Sequence, residues 1–202
     1  MSRQGFVIGW LLALLAAVGS LFWYQDWLYQ LPTPLPSVYK PVPVGTRIQA
    51  PQLVNLPADK PVFLHFFNPD CPCSRFNQPH IKALVGQFGR QVSFLVVVLS
   101  TKAYSPQQIR HQLGLDLPVL LHTSLASLCG VYATPQAVLL DTRHRLYYRG
   151  NYNRSRYCTD ERTSYAKRAL SSLLANQTGR VADARALTAY GCSLPACPRH
   201  DD

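Results

Sequence analysis

The residues best suited to covalent chemistry in this chain lie in one short turn, Cys71-Pro72-Cys73-Ser74, with Arg75 directly after it. The turn sits between the apolar run VFLHFF (62–67) and a stretch patterned as a helix, RFNQPHIKALVGQFG. The first turn of a helix leaves backbone N–H groups unpaired and carries partial positive charge. A cysteine held there has its thiolate stabilised, so its pKa falls and it becomes a better nucleophile at neutral pH. Cys71 falls at or just before that first turn, Pro72 fixes the backbone between the two sulfurs, and Arg75 follows one turn on.

Four further cysteines stand at 129, 158, 192 and 197, making six in all. An even count suits an oxidising compartment. Cys129, in SLASLCGVY, follows an apolar helical pattern and reads as a buried, inert thiol. Cys158, Cys192 and Cys197 read as structural disulfide candidates that tie the C-terminal tail to the body. The preferred bridge is Cys158–Cys192, with Cys192–Cys197 as its rival. A resolving cysteine in the tail that reaches Cys71 is the alternative. His65, His80, His122 and His144 invite a metal reading, but His65 alternates inside a buried strand and reads as a core histidine. No metal and no other cofactor is expected.

The elements that must hold the turn follow from pattern. VFLHFF (62–67) and VSFLVVVLS (92–100) read as buried strands rich in aromatic and β-branched residues. The helix after the turn contains Pro79, which should kink it. Ser105-Pro106 opens a second helix and Gly114 closes it. VLLH (119–122) is a short strand, 123–130 a short helix, and QAVLLD (136–141) pairs with RLYYRG (145–150) as a hairpin. A last helix runs over 159–177, capped by Thr159. This order is that of an α/β domain with a mixed sheet in a three-layer sandwich.

Ahead of the domain, FVIGWLLALLAAVGSLFW (6–23) carries no charge and spans roughly 27 Å as a helix, close to a bilayer's hydrocarbon thickness. Trp23, Tyr24, Trp27 and Tyr29 supply an interfacial aromatic belt. A cleavable signal would have a shorter run and a small-residue site after it, so 1–30 reads as an uncleaved signal anchor and transmembrane helix. Arg3 stays cytoplasmic under the positive-inside rule, which places the rest on the extracytoplasmic side. Residues 31–51, with Pro32, Pro34, Pro36, Pro41, Pro43 and Pro51, read as a stiff spacer. The domain proper is expected over 52–178 and a cysteine-containing tail over 179–202. The formal charge of +10 comes from scattered arginines without a nucleic-acid motif, so it reads as a solvated basic surface with a weak bias toward lipid headgroups.

Taken together, HFFNPD, Cys71-Pro72-Cys73-Ser74, Arg75-Phe76-Asn77-Gln78-Pro79 and Thr134-Pro135-Gln136-Ala137-Val138-Leu139-Leu140-Asp141 resemble the thioredoxin-like family, in particular its membrane-anchored extracytoplasmic thiol–disulfide and redoxin members. The resemblance covers about 52 to 177. It implies a cis peptide at Thr134-Pro135 facing the cysteines, where an extended substrate can pair as an added strand. It also exposes a departure. Counted back from Pro79, the family's two cysteines fall on Cys71 and Ser74, so Cys73 is an extra thiol inside a Cys-x-x-Ser frame.

By resemblance Cys71 attacks, and Cys73 resolves in place of the missing cysteine. A disulfide between residues two apart closes a very small ring and is easily reduced, which implies an oxidising or isomerising character. The expected protein is a single-pass inner-membrane thiol–disulfide oxidoreductase with its domain in the periplasm. Cys71 and Cys73 would be catalytic, with Ser74, Arg75, Thr134 and Pro135 supporting them. Its expected partners are protein thiols or disulfides, a membrane redox partner and the lipid bilayer, with no nucleic acid. The alternative is a non-catalytic thioredoxin-like assembly or copper-delivery module, kept open by Ser74. Copper-binding relatives pair two cysteines with a distant histidine and separate the cysteines more widely than here.

Overall fold

The computed structural model describes residues 3–121, 124–156, 160–177 and 183–194. It divides into two units, Met1–Leu31 and Pro32–Asp202. The first unit is one helix, α1 (Arg3–Gln30), whose window Arg3–Leu28 is long and apolar enough to cross a membrane. Phe6, Trp10, Leu15, Phe22 and Trp23 are all exposed along it. An apolar surface left bare in this way suits lipid better than water.

The second unit follows the expected order closely. Its elements are α2 (Pro51–Val54), β1 (Val62–Phe67), α3 (Pro72–Phe76), α4 (Gln78–Phe88), β2 (Ser93–Val98), α5 (Pro106–Leu113), β3 (Val119–Leu120) and α6 (Leu125–Cys129). They continue with β4 (Ala133–Thr134), β5 (Gln136–Leu140), β6 (Leu146–Gly150), α7 (Tyr165–Leu174), α8 (Ala184–Leu187) and β7 (Cys192–Ser193). Five strands form one mixed sheet in the order β3-β2-β1-β5-β6. β1 runs parallel to β2 and antiparallel to β5, so the central strand is paired on both sides. It is buried along its whole length, which explains its unbroken apolar and aromatic sequence.

Period-two alternation sends the side chains of β1 into two cores. Leu64 and Phe66 join Leu95, Val97, Val138 and Leu140 beneath Leu53 of α2 and Leu125 of α6. Phe63 joins Leu139 and Tyr148 beneath Ile81 and Leu84 of α4 and Tyr165 and Leu170 of α7. Helices thus cover both faces of a mixed sheet. With a cis Thr134-Pro135 bond ahead of β5, this is the thioredoxin-like three-layer sandwich.

Several local expectations are corrected. Pro79 does not kink one helix; it sits in the first turn of α4, which begins anew after Asn77 closes α3. A proline is tolerated there because the N–H it lacks has no intrahelical partner anyway. The last helix starts later than expected: a 3₁₀ turn (Glu161–Thr163) comes first, and Ser164 caps α7 by accepting from Lys167 N at 3.2 Å. The expected cap, Thr159, lies outside the described residues.

The proline-rich stretch is not a free spacer. Ile48 N donates to His144 O at 2.8 Å, Leu146 N donates to Thr46 O at 2.8 Å, and the Tyr39 hydroxyl donates to Gly130 O at 3.0 Å. Ile48 and Ala50 are buried in the core. These bonds, made by a backbone N–H, a backbone carbonyl and a tyrosine hydroxyl, together with two buried apolar side chains, lay this segment along the domain.

Candidate functional site

β1 delivers the chain to the turn, and a set of short hydrogen bonds shapes it. The Asn68 side chain accepts from Asp70 N at 2.9 Å, and Cys71 N donates to Asn68 O at 3.1 Å. Cys71 then takes the N-cap position of α3 with extended backbone angles, and Pro72 opens the helix. Ser74 is fully buried, and its hydroxyl accepts from Asn68 N at 3.2 Å. The serine at the resemblance's second cysteine position therefore ties the strand end to the helix start. Asp70 anchors the outer side of the turn, accepting from Lys102 Nζ at 2.6 Å, Ser100 Oγ at 2.9 Å and the Tyr104 hydroxyl at 2.9 Å. These bonds, the one from Lys102 foremost, hold its carboxyl below the usual range.

Cys71 is bonded to Cys192, with Cα atoms 6.1 Å apart across 121 positions of sequence. This corrects two expectations. Cys192 is not joined to Cys158 or Cys197, both of which lie outside the described residues, and Cys73 is not joined to Cys71. Cys73 remains a free thiol, buried to 5% exposure, on the inner side of the turn. A link to the tail satisfies Cys71 without closing the small Cys71–Cys73 ring. The sulfurs of Cys71, Cys73 and Cys192 all lie within 4.8 Å of one another.

The route by which Cys192 arrives is the main structural finding. β7 pairs antiparallel with β4, with Cys192 opposite Thr134 and Ser193 opposite Ala133. Thr134 immediately precedes the cis bond to Pro135, and its carbonyl oxygen lies 3.7 Å from Cys71 Sγ. The protein's own tail thus enters as the added strand that the cis-proline loop was expected to offer a substrate. Gly191 makes this possible: its φ is +146, and a Cβ there would stand 2.1 Å from Thr134 O.

The segment before Cys192 is held from several sides. Asn151, fully buried, donates from its side chain to Arg185 O at 2.8 Å and Thr188 O at 2.7 Å. Ala189 N donates to the Tyr132 hydroxyl at 3.0 Å, and Thr33 donates from its backbone to Ala189 O at 2.8 Å and from its hydroxyl to Gly191 O at 3.1 Å. The Tyr190 hydroxyl donates to Asn153 O, and the Tyr165 hydroxyl to Asp183. Ala186 and Ala189 are completely buried. Small side chains at these positions let the tail lie close against the body.

The other candidates fall away from the sulfur cluster. Arg75 lies on the exposed side of α3. His65 is buried in the core with Nδ1 2.7 Å from the Tyr152 hydroxyl, and burial pushes its pKa down to about 3. It is therefore the neutral core histidine expected of it. His80 Nε2 lies 3.1 Å from Asn153 Nδ2. His144 stands in the β5–β6 turn, and His122 is outside the described residues. Cys129 is buried in the core, where desolvation pushes its thiol up to about 12. Sequence reasoning missed Asn151, Tyr132 and Thr33 as tail holders; no local pattern marks a residue whose partners lie so far along the chain.

Residues 44–195, which contain the turn, the cis-proline loop and Cys192, match a family described as "Domain of unknown function (DUF6436)". The chain belongs to the DUF6436 family. No curated protein matches it. Among solved structures, the DUF6436 chain is similar to an uncharacterized conserved protein from Geobacillus kaustophilus, at 19% identity over 80% of this chain and 97% of that one, with a TM-score of 0.62. A hypothetical protein from Sinorhizobium meliloti is 18% identical over 77% of this chain and 96% of that one, with a TM-score of 0.60. A secreted disulfide oxidoreductase of Mycobacterium tuberculosis is 16% identical over 58% of this chain and 82% of that one, with a TM-score of 0.42. What the DUF6436 chain shares with the Geobacillus and Sinorhizobium proteins is the fold.

Proposed function

We propose that this protein is a membrane-tethered thiol–disulfide oxidoreductase in which Cys71 exchanges with Cys192 and with cysteines of extended protein segments on the extracytoplasmic side. One observation carries the reading: the chain's own tail pairs with β4 beside cis-Pro135 and places Cys192 on Cys71. A peptide cysteine brought along the same edge would meet the same sulfur.

In the reduced state, the Cys71 thiolate attacks one sulfur of a substrate disulfide, and the other substrate sulfur leaves as a thiolate. The mixed disulfide is then attacked at Cys71 Sγ by the Cys192 thiolate, and the second substrate thiolate leaves. The substrate gains two electrons and two protons, and Cys71–Cys192 is restored. Run backwards, the same steps oxidise a substrate dithiol and leave Cys71 and Cys192 reduced. The expected oxidising character rested on a Cys71–Cys73 ring; with Cys71 joined to Cys192, the direction is set by the membrane redox couple that exchanges with this pair. Arg75 contributes positive charge on the turn. α1 holds the domain at the bilayer, and a persistent disulfide suits an extracytoplasmic location.

The test uses the full chain in its native membrane. Cys192→Ser removes the resolving thiol, so mixed disulfides on Cys71 should accumulate and be captured by acid quenching and alkylation. Wild-type turnover by Cys192→Ser, with no trapped species on Cys71, would sink the reading.

A further inference from the structure

Cys73 has no part in the exchange just described. It is buried, it is unbonded, and it points its sulfur to within 4.8 Å of both members of the Cys71–Cys192 disulfide. We propose that reduction of that disulfide turns the three sulfurs into a site for one soft monovalent copper ion. The inference goes beyond the oxidoreductase reading and needs only the reduced state, not turnover.

The donor set selects the ion. Soft thiolates favour Cu(I) over hard cations. Metal–thiolate bonds of about 2.3 Å set three sulfurs around one ion roughly 4 Å apart. The three sulfurs already lie within 4.8 Å of one another, so the bonded pair has to separate and Cys73 needs at most a small adjustment. Zinc favours a fourth ligand, and among the described residues no histidine, aspartate or glutamate joins this group. His65 is committed to Tyr152 and His80 to Asn153 in the core. A three-coordinate Cu(I) is therefore the better match.

The ligands also stand on fixed elements. Cys71 and Cys73 flank Pro72 in a turn tied by Asn68 and Ser74. Cys192 stands on β7, opposite Thr134, behind a segment held by Asn151, Tyr132 and Thr33. That anchorage does not depend on the disulfide, so all three thiols remain near one another once it is reduced. Asp70 is paired with Lys102, so it brings no uncompensated negative charge to the thiolates.

The chemistry balances without redox at copper. A dithiol of the reducing couple gives two electrons and two protons to Cys71–Cys192 and becomes a disulfide. The three thiols then bind Cu(I) and release their protons. When a substrate disulfide takes two electrons from Cys71 and Cys192 and is reduced to a dithiol, the Cys71–Cys192 bond reforms. Two of the three ligands are then lost and the ion is expelled, so binding is gated by the redox state of the same pair.

The experiment is an anaerobic titration of the full chain in detergent with Cu(I), in competition with a colorimetric Cu(I) chelator. The reduced chain should hold one equivalent, with near-ultraviolet thiolate-to-copper absorption and three sulfur scatterers by X-ray absorption. The oxidised chain should hold none. Cys73→Ser and Cys192→Ser should each weaken retention by roughly 100-fold or more, with Cys73→Ala and Cys192→Ala as second variants and near-ultraviolet circular dichroism to verify folding. Cys129→Ala should bind as the parent chain does. Loss of copper to the chelator by the reduced chain, or parent-like retention by folded Cys73 and Cys192 variants, overturns the proposal. Retention of Zn(II) in place of Cu(I) overturns the assignment of the ion. The oxidoreductase reading fails separately, by the absence of trapped substrate on Cys71.

Discussion

Cys71 and Cys129 are almost equally hidden, at 1% and 0% exposure, but what hides them differs. Cys129 ends α6 and lies among Leu64, Phe66, Leu125 and Val138, beneath the sheet itself. Its carbonyl accepts from Arg149 Nη1 at 3.0 Å, and burial keeps its thiol protonated. Only opening the core can expose it. Cys71 stands at the start of α3, and part of its cover is a two-residue strand on the chain's tail. Lifting that strand leaves the five-stranded sheet intact. Fractional burial alone therefore does not separate an inert thiol from a reactive one; the element supplying the cover does, because its local opening costs less than global unfolding.

The sharpest way to break the comparison is to remove each sulfur in turn. Cys71→Ser is expected to abolish thiol–disulfide exchange outright, while Cys129→Ala leaves its rate at the parent value. Stopped alkylation followed by mass spectrometry reads both. Equal losses from the two variants would mean that the cover makes no difference.

Reduction without mutation comes next in size. The Cys71–Cys192 link spans 121 positions, and in the chain-entropy treatment a loop of that length stabilises by up to about 5 kcal/mol. Denaturant unfolding of the full chain should move to a lower midpoint with reductant, with an extrapolated unfolding free energy smaller by up to that amount. Under the same native reducing conditions, Cys71 and Cys192 should react with an alkylating agent while Cys129 stays unmodified.

Much of this contrast was legible in the sequence, for identifiable reasons. The apolar run VFLHFF, the apolar stretch in 136–140 and the Ser105-Pro106 cap are local signals, and local signals mark elements. Cys129 was readable as inert because an apolar helical pattern surrounds it. Thr134-Pro135 was readable as the loop facing Cys71 through the resemblance to the thioredoxin-like family. The partner of Cys192 was not fixed by any local pattern. It depends on Asn151 and Tyr132 meeting backbone groups of the tail, and on Gly191 passing close over Thr134. Such contacts between distant segments leave no periodicity. The way 31–51 lies along the domain was hidden for the same reason, since its hydrogen bonds reach residues as distant as Gly130, His144, Leu146 and Ala189.

Alkaline pH tests the Cys129 side. Its pKa rises from 9.0 unfolded to about 12 folded, chiefly through burial, with Arg149 opposing. The folded state holds the proton more tightly, so this contribution is complete below pH 9 and is lost as pH climbs toward 12. The loss is about 1.4 kcal/mol per pH unit across that window at most. Buried Tyr148 and Tyr152, also raised by desolvation, act with the same sign. Unfolding midpoints measured from neutral pH upward should fall in that window, and Cys129 should become reactive only as they do. Reaction of Cys129 at pH 8 in the folded chain would place it with Cys71.

The smallest expected effect is the most specific to the tail. Gly191 has φ +146 and no room for a side chain, because a Cβ would lie 2.1 Å from the Thr134 carbonyl oxygen. In Gly191→Ala the backbone at 191 is strained and β7 is pushed off β4, at a cost of about 1–2 kcal/mol. The disulfide locks Cys192 beside Thr134, so the oxidised state bears that cost in full, whereas the reduced chain, held there by hydrogen bonds alone, relieves part of it by a local shift of β7. The exchange equilibrium with glutathione should therefore move toward the reduced pair by roughly 5–30-fold. Cys129 should be unaffected, since its cover is the sheet. An unchanged equilibrium would mean that the tail does not reach Cys71 along the Thr134 edge, and that the two cysteines do not differ in the way their covers suggest.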